Sequence, residues 1–113
     1  MTSVIQNTCI TKESILYEVH AHITNKEIER EWISWMLETH IDDVVKAGAS
    51  IGHLVKDDST SGSYRAIYWF SSRRAFEKYI EEKAPQLRAE GIRRFGDSNY
   101  IQYSRTTAEL LGS

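Results

Sequence analysis

Apolar and polar side chains alternate from residue 14 to residue 23. Ile15, Tyr17, Val19, Ala21 and Ile23 share one parity, and Leu16, Glu18, His20 and His22 the other. This predicts a strand with one buried and one wetter face. The period then lengthens. Thr24 followed by Glu27 has the form of a capping box, and Ile28, Trp32, Trp35 and Met36 recur at helical spacing, so a helix is expected to begin near Asn25. Asp42 and Asp43 suit the first turn of a short second segment that stops at Gly48, which places a bend at His40. Strands over 49–56 and 63–71 flank the polar turn 57–62 and should pair antiparallel. Phe76, Tyr79 and Ile80 define a further helix, Pro85 can open its continuation, and Gly91 and Gly96 are candidate stops. A hydroxyl-rich stretch from residue 98 to about 107, carrying Tyr100, Ile101 and Tyr103, reads as the last strand.

The order strand, helix, strand, strand, helix, strand is that of a ferredoxin-like α+β fold, an antiparallel four-stranded sheet with its helices on one face. Residues 14–107 form the domain, 1–13 an extension that is either an edge strand or disordered, and 108–113 a tail. A helix-facing Arg65 would be costly. Parity on the third strand therefore points Tyr64, Ala66, Tyr68 and Phe70 inward and leaves Arg65, Ile67 and Trp69 with Leu16, His20 and His22 on the uncovered face. Such a face can pack against its symmetry mate around a polar cavity, which predicts a homodimer.

Composition narrows the function classes. The chain has 113 residues, enough for one domain, with three Trp, six Tyr and three Phe, a heavy aromatic allotment at this size. A formal charge of −2 argues against a polyanion binder, and the run from Gly62 to Phe70 departs from the RNA-recognition signature, having Ser61 before the glycine and Arg65 after the first aromatic. No nucleic-acid partner is expected. Cys9 is the sole cysteine, so an intramolecular disulfide is impossible and a reducing cytoplasm fits best. Cys9 has no local activating base and reads as inert. Neither a leader pattern nor a membrane-spanning stretch is evident, so no membrane partner is expected.

Candidate chemistry rests on few side chains. His20 and His22, two apart on a strand, point the same way and could serve as acid and base, but no third ligand is fixed by spacing, so no metal is expected. His40 at a helix end could act as a cation against the helix dipole. Trp32, Trp35 and Met36 sit at core spacing and imply neither haem nor flavin; no cofactor is expected. Arg88, Arg93 and Arg94 form a basic cluster able to hold a carboxylate or phosphate, although Glu77, Glu81, Glu82 and Glu90 could neutralise it. Candidate ligand-binding residues are thus Arg65, Trp69, Arg88 and Arg94.

Trp32, Trp35, Met36, His40 and Ile41, with Ala84, Pro85, Leu87, Arg88, Arg94, Phe95 and Gly96, make the chain resemble domain-of-unknown-function family 4286. The resemblance implies the ferredoxin-like fold, similarity to the dimeric α/β barrel superfamily, and no established activity. It also supports a reading of His40 as an acid or base at a cavity mouth. The chain departs from the family pattern in Asp42, where proline is expected, in Lys83, where histidine is expected, and in its first thirteen residues. Loss of a histidine at position 83 weakens a mechanism built on that position, since an ammonium titrates far above neutrality. The combined expectation is a homodimer binding a small anionic or carbonyl-bearing molecule between two sheets. In the enzyme reading, cofactor-independent acid–base chemistry uses His20 or His22 to move a proton and Arg65 to hold negative charge. The competing reading is a noncatalytic interaction module that uses the open sheet face.

Overall fold

The computed structural model describes residues 10–96 and 99–113. Four strands, β1 (Ile15–Ile23), β2 (Ile51–Lys56), β3 (Ser63–Phe70) and β4 (Ile101–Glu109), form one antiparallel sheet in the order β2-β3-β1-β4. Helices α1 (Lys26–Trp35) and α2 (Ile41–Lys46) connect β1 to β2, and α3 (Arg73–Glu82) and α4 (Ala84–Phe95) connect β3 to β4. This is the expected ferredoxin-like topology. The extension expected over residues 1–13 lies, for its first nine residues, outside the described part. The last strand starts at Ile101 and reaches Glu109, and Leu110 N–H still donates to the Ser14 carbonyl.

The period-two reading of β1 and β3 is upheld. Ile15, Tyr17, Ala21 and Ile23 are buried, as are Tyr64, Ala66, Tyr68 and Phe70, while Leu16, His20, His22, Arg65, Ile67 and Trp69 keep intermediate exposure on the other face. Register places Leu16 opposite Trp69 and His20 opposite Arg65. Inside, the Phe70 ring lies 5.3 Å from that of Phe76 and 5.1 Å from that of Tyr79, and Tyr17 lies 5.1 Å from Phe76. Trp32, Trp35, Met36 and Val44 complete this aromatic core from the helix side.

Two local readings need correction. The α1 cap is Asn25, not Thr24: the Asn25 Oδ1 accepts from the N–H groups of Glu27 and Ile28, each at 3.0 Å, because Asn25 has the extended backbone a cap requires. Asn25→Ala should cost about 1 kcal/mol in chemical denaturation, whereas Thr24→Ala should cost much less. Gly91 does not end a helix but lies inside α4, where a side chain would meet the Trp35 indole at 3.2 Å. Gly96, with φ of 73°, is the stop, as its left-handed backbone requires.

The bend expected at His40 is a five-residue π-helical turn, Met36–His40, through which the chain runs from α1 into α2. Ile41 N–H donates to the Met36 carbonyl, the i→i−5 bond of that geometry. In α geometry residues five apart differ by about 140° around the axis. The wider turn brings such residues together, and the His40 imidazole stacks on the Trp35 indole at 4.4 Å with 26° between planes.

Candidate functional site in the helix-side cavity

The sheet is not covered evenly. On β1 and β3 the helix-facing residues are buried, but β4 is exposed from Gln102 to Glu109, although Tyr103, Arg105 and Thr107 lie opposite Ala21, Val19 and Tyr17 and so share their face. A cavity of about 340 Å³ occupies the space between α4 and this bare side of the sheet. The volume is within the range of small-molecule pockets. Leu87, Arg88, Gly91, Ile92 and Phe95 line it from α4, Trp35, Met36 and His40 from α1 and the π turn, and Tyr17, Tyr68, Tyr103 and Arg105 from the strands. Gly91 holds this wall open, since the space a side chain would take there belongs to the Trp35 ring.

Most of the wall is aromatic or aliphatic, and its polar atoms are few. Trp32 Nε1 donates to the Tyr103 hydroxyl at 3.0 Å, and Arg88 Nη2 donates to the Tyr17 hydroxyl at 3.1 Å. Tyr17 and Tyr68 stack with centroids 6.0 Å apart. Two atoms stand apart: His40 Nδ1 and the Tyr68 hydroxyl are buried and have no hydrogen-bond partner among the described residues. Burial holds His40 neutral, pushing its pKa down from 6.5 to about 4; Asp43 opposes this and Arg105 assists it. Burial pushes the Tyr68 phenol well above its usual range, so it stays protonated. Both residues line the cavity, and at neutral pH they hold a neutral imidazole and a phenol O–H just behind its surface.

The sequence-predicted residues divide between two faces. His40 and Arg88 line the cavity. The reading of His40 as a cation at a helix end is corrected, because the helix continues through it to Lys46 and its buried imidazole is neutral. His20, His22, Arg65 and Trp69 lie on the open face, turned away from the cavity. There His20 Nε2 is 3.3 Å from Glu18, His22 Nδ1 shares a 2.8 Å hydrogen bond with Ser63 Oγ, and Arg65 bonds Asp57 at 3.0 Å. Arg65 Nη1 also lies 3.6 Å from Glu18. A more open depression of about 280 Å³ borders His20, His22, Ser63, Gln102 and Ser104. Arg94 is exposed in the last turn of α4 and lines neither space. Among the described residues no group of three His, Cys, Asp or Glu side chains is placed to hold a metal ion. No described helix is long and apolar enough to cross a membrane.

Sequence reasoning passed over Tyr17, Tyr68, Tyr103 and Arg105. A signal was present: inward positions carrying Tyr rather than Phe imply hydroxyls that need partners, and Arg105 keeps the parity of Tyr103.

The model of the family described as Domain of unknown function (DUF4286) matches residues 14–109. Among curated proteins none matches the sequence. Among solved structures, a mutant form of SnoaB from Streptomyces nogalater, a cofactor-independent oxygenase, is 13% identical and superposes with a TM-score of 0.66 over 89% of this chain and 96% of its own. A dimeric ferredoxin-like protein from an uncultured marine organism is 11% identical, with a TM-score of 0.66 over 88% and 97%. A conserved protein of unknown function from Bacteroides thetaiotaomicron is 11% identical, with a TM-score of 0.64 over 88% and 99%. At these identities the likeness is one of fold.

Proposed function

Because the chain belongs to the DUF4286 family, whose description assigns no reaction, we propose its function from its own cavity: it binds a small, flat, mainly apolar molecule bearing a carbonyl or phenol oxygen. The observation that carries this reading is the pair of unpartnered atoms, His40 Nδ1 and the Tyr68 hydroxyl. A buried polar group without a partner costs about 1–3 kcal/mol. A ligand oxygen that accepts from Tyr68 and a ligand hydrogen that His40 accepts would recover that cost on binding.

The same two groups suit proton transfer. Tyr68 donates to the ligand carbonyl and stabilises negative charge developing there, while neutral His40 accepts the proton released beside it. This is cofactor-independent acid–base chemistry of the kind read from the sequence, with His40 in the role first given to His20 or His22. A scaffold of this fold that carries a cofactor-independent oxygenase, as SnoaB does, is compatible with chemistry by side chains alone.

The reading is tested with 2-acetylnaphthalene, a flat neutral ketone. Wild-type protein should bind it at one site per chain, followed by calorimetry, and Gly91→Leu, which fills the wall beside Trp35, should abolish binding while the circular dichroism spectrum is kept. Binding that is unchanged in Gly91→Leu would place the ligand elsewhere and refute the assignment.

A second reading concerns the open face. Leu16, Ile67 and Trp69 lie together on β1 and β3 with no helix above them among the described residues. That patch favours self-association through the sheet, the arrangement of a homodimer, and would serve a noncatalytic interaction module equally well. The polar groups beside it, Glu18, His20 and Arg65, would then fix the register of the two copies.

A further inference from the structure

The cavity mouth carries a charge pattern that the binding of a neutral molecule does not use. Arg88 on α4 and Arg105 on β4 both line the cavity, one from the helix and one from the sheet, and neither is buried. Among the described residues no carboxylate lies within ion-pair distance of either, although Arg65 finds two and Arg73 one. The partners these two arginines do have are neutral. Arg88 bonds the Tyr17 hydroxyl at 3.1 Å, and the Arg105 guanidinium sits 5.5 Å from the centre of the Tyr103 ring. Tyr79, whose phenol feels the charge of both guanidiniums, lines the same cavity. The chain as a whole is acidic, at −2, so two cations in one cavity wall without a carboxylate partner among the described residues are a local departure from its charge balance.

We propose that Arg88 and Arg105 form an anion subsite at the cavity mouth, so that the physiological ligand is an aromatic acid whose ring lies inside and whose carboxylate is held between the two guanidiniums. Each guanidinium presents several N–H donors in a fork that matches a carboxylate, and each is already oriented by an aromatic neighbour. The exposed Ile92 and Tyr103 beside them supply an apolar rim that a ring can cross on entry. The inference rests on the binding reading given above and narrows its ligand class.

The test uses two probes of equal shape, 2-naphthoate and its neutral amide 2-naphthamide, titrated into the full chain. The acid should bind about tenfold more tightly than the amide, as one well-placed charged contact gives. That preference, read as the ratio of acid to amide affinity within each variant, should shrink as salt is raised and should vanish in the Arg88→Gln/Arg105→Gln double variant. Arg105→Gln alone, a change at an exposed strand position, should remove part of the preference and guards against loss of the Arg88 bond to Tyr17. Equal affinity for acid and amide in wild type would overturn the anion subsite and leave the cavity reading standing. A preference that survives in the double variant would overturn it too. If neither probe binds, the cavity reading falls and the subsite with it.

Discussion

Phe70→Ala should cost the fold about 3–5 kcal/mol, the range for removing a fully buried phenylalanine. Phe70 is 0% exposed and touches three rings, Tyr17, Phe76 and Tyr79, with centroids between 5.1 and 6.3 Å away. The loss would combine transfer energy with a void that neighbours on a stiff sheet cannot collapse into. Against a total stability of about 5–15 kcal/mol for a domain of this kind, the variant should lie close to unfolding. Trp69, one residue earlier and on the other face, gives the comparison. In an isolated chain Trp69→Ala should cost much less, because its side chain is only partly covered. Urea denaturation of both variants at several protein concentrations decides the matter. A Trp69→Ala penalty matching that of Phe70→Ala, and growing with protein concentration, would show that a second copy covers the open face.

The second large effect is on pH. Between pH 6.5 and about 4 the protein should lose about 3 kcal/mol of stability through His40. Burial depresses the folded pKa below the unfolded one, so within that window only the unfolded chain takes up the proton. Acidification therefore favours unfolding there. Above pH 6.5 neither state binds the proton and stability is fully kept; below about 4 both bind it and the loss saturates. His40→Leu removes the titration while leaving an apolar group against Trp35. The slope of unfolding free energy against pH should be flatter in this variant than in wild type across pH 4 to 6.5. Identical slopes would mean that His40 is not held neutral by its surroundings.

How far the sequence could be read depended on whether local periodicity carried the information. The parity of β1 and β3 is set by alternation alone, and Arg65 settles the choice between the two registers, so the buried set Tyr64, Ala66, Tyr68 and Phe70 was legible. Asn25 and Thr24 are both good caps, and only backbone geometry separates them. Gly91 looked like a stop because local reading sees a missing side chain, whereas the reason for it, the Trp35 ring, is far away in the chain. The cavity was illegible for a related reason. It exists because the helices leave the inner side of β4 bare, a property of how elements of unequal width pack rather than of any one segment. Attention to open-face histidines followed from strand parity, yet Glu18 and Ser63 engage His20 and His22 there. His40 was singled out as a candidate and does line the cavity, but it was given a charge that only burial could deny it.

The π-helical turn also bears on how this site would persist or vanish in descent. A five-residue turn holds one residue more than an α-helical turn of the same rise, so the segment Met36–His40 amounts to a single-codon insertion. Deleting one residue there would remove the wide turn and let α1 run into α2 as one α-helix, with Val44 and the rest of α2 still facing the core. The imidazole would swing off the Trp35 ring, yet the sheet, the caps and the rest of the core would need no other change. Relatives one residue shorter between Trp35 and Asp43 would then keep the scaffold and lose the imidazole from the cavity wall, so a gap in this stretch would mark where the cavity changed its lining.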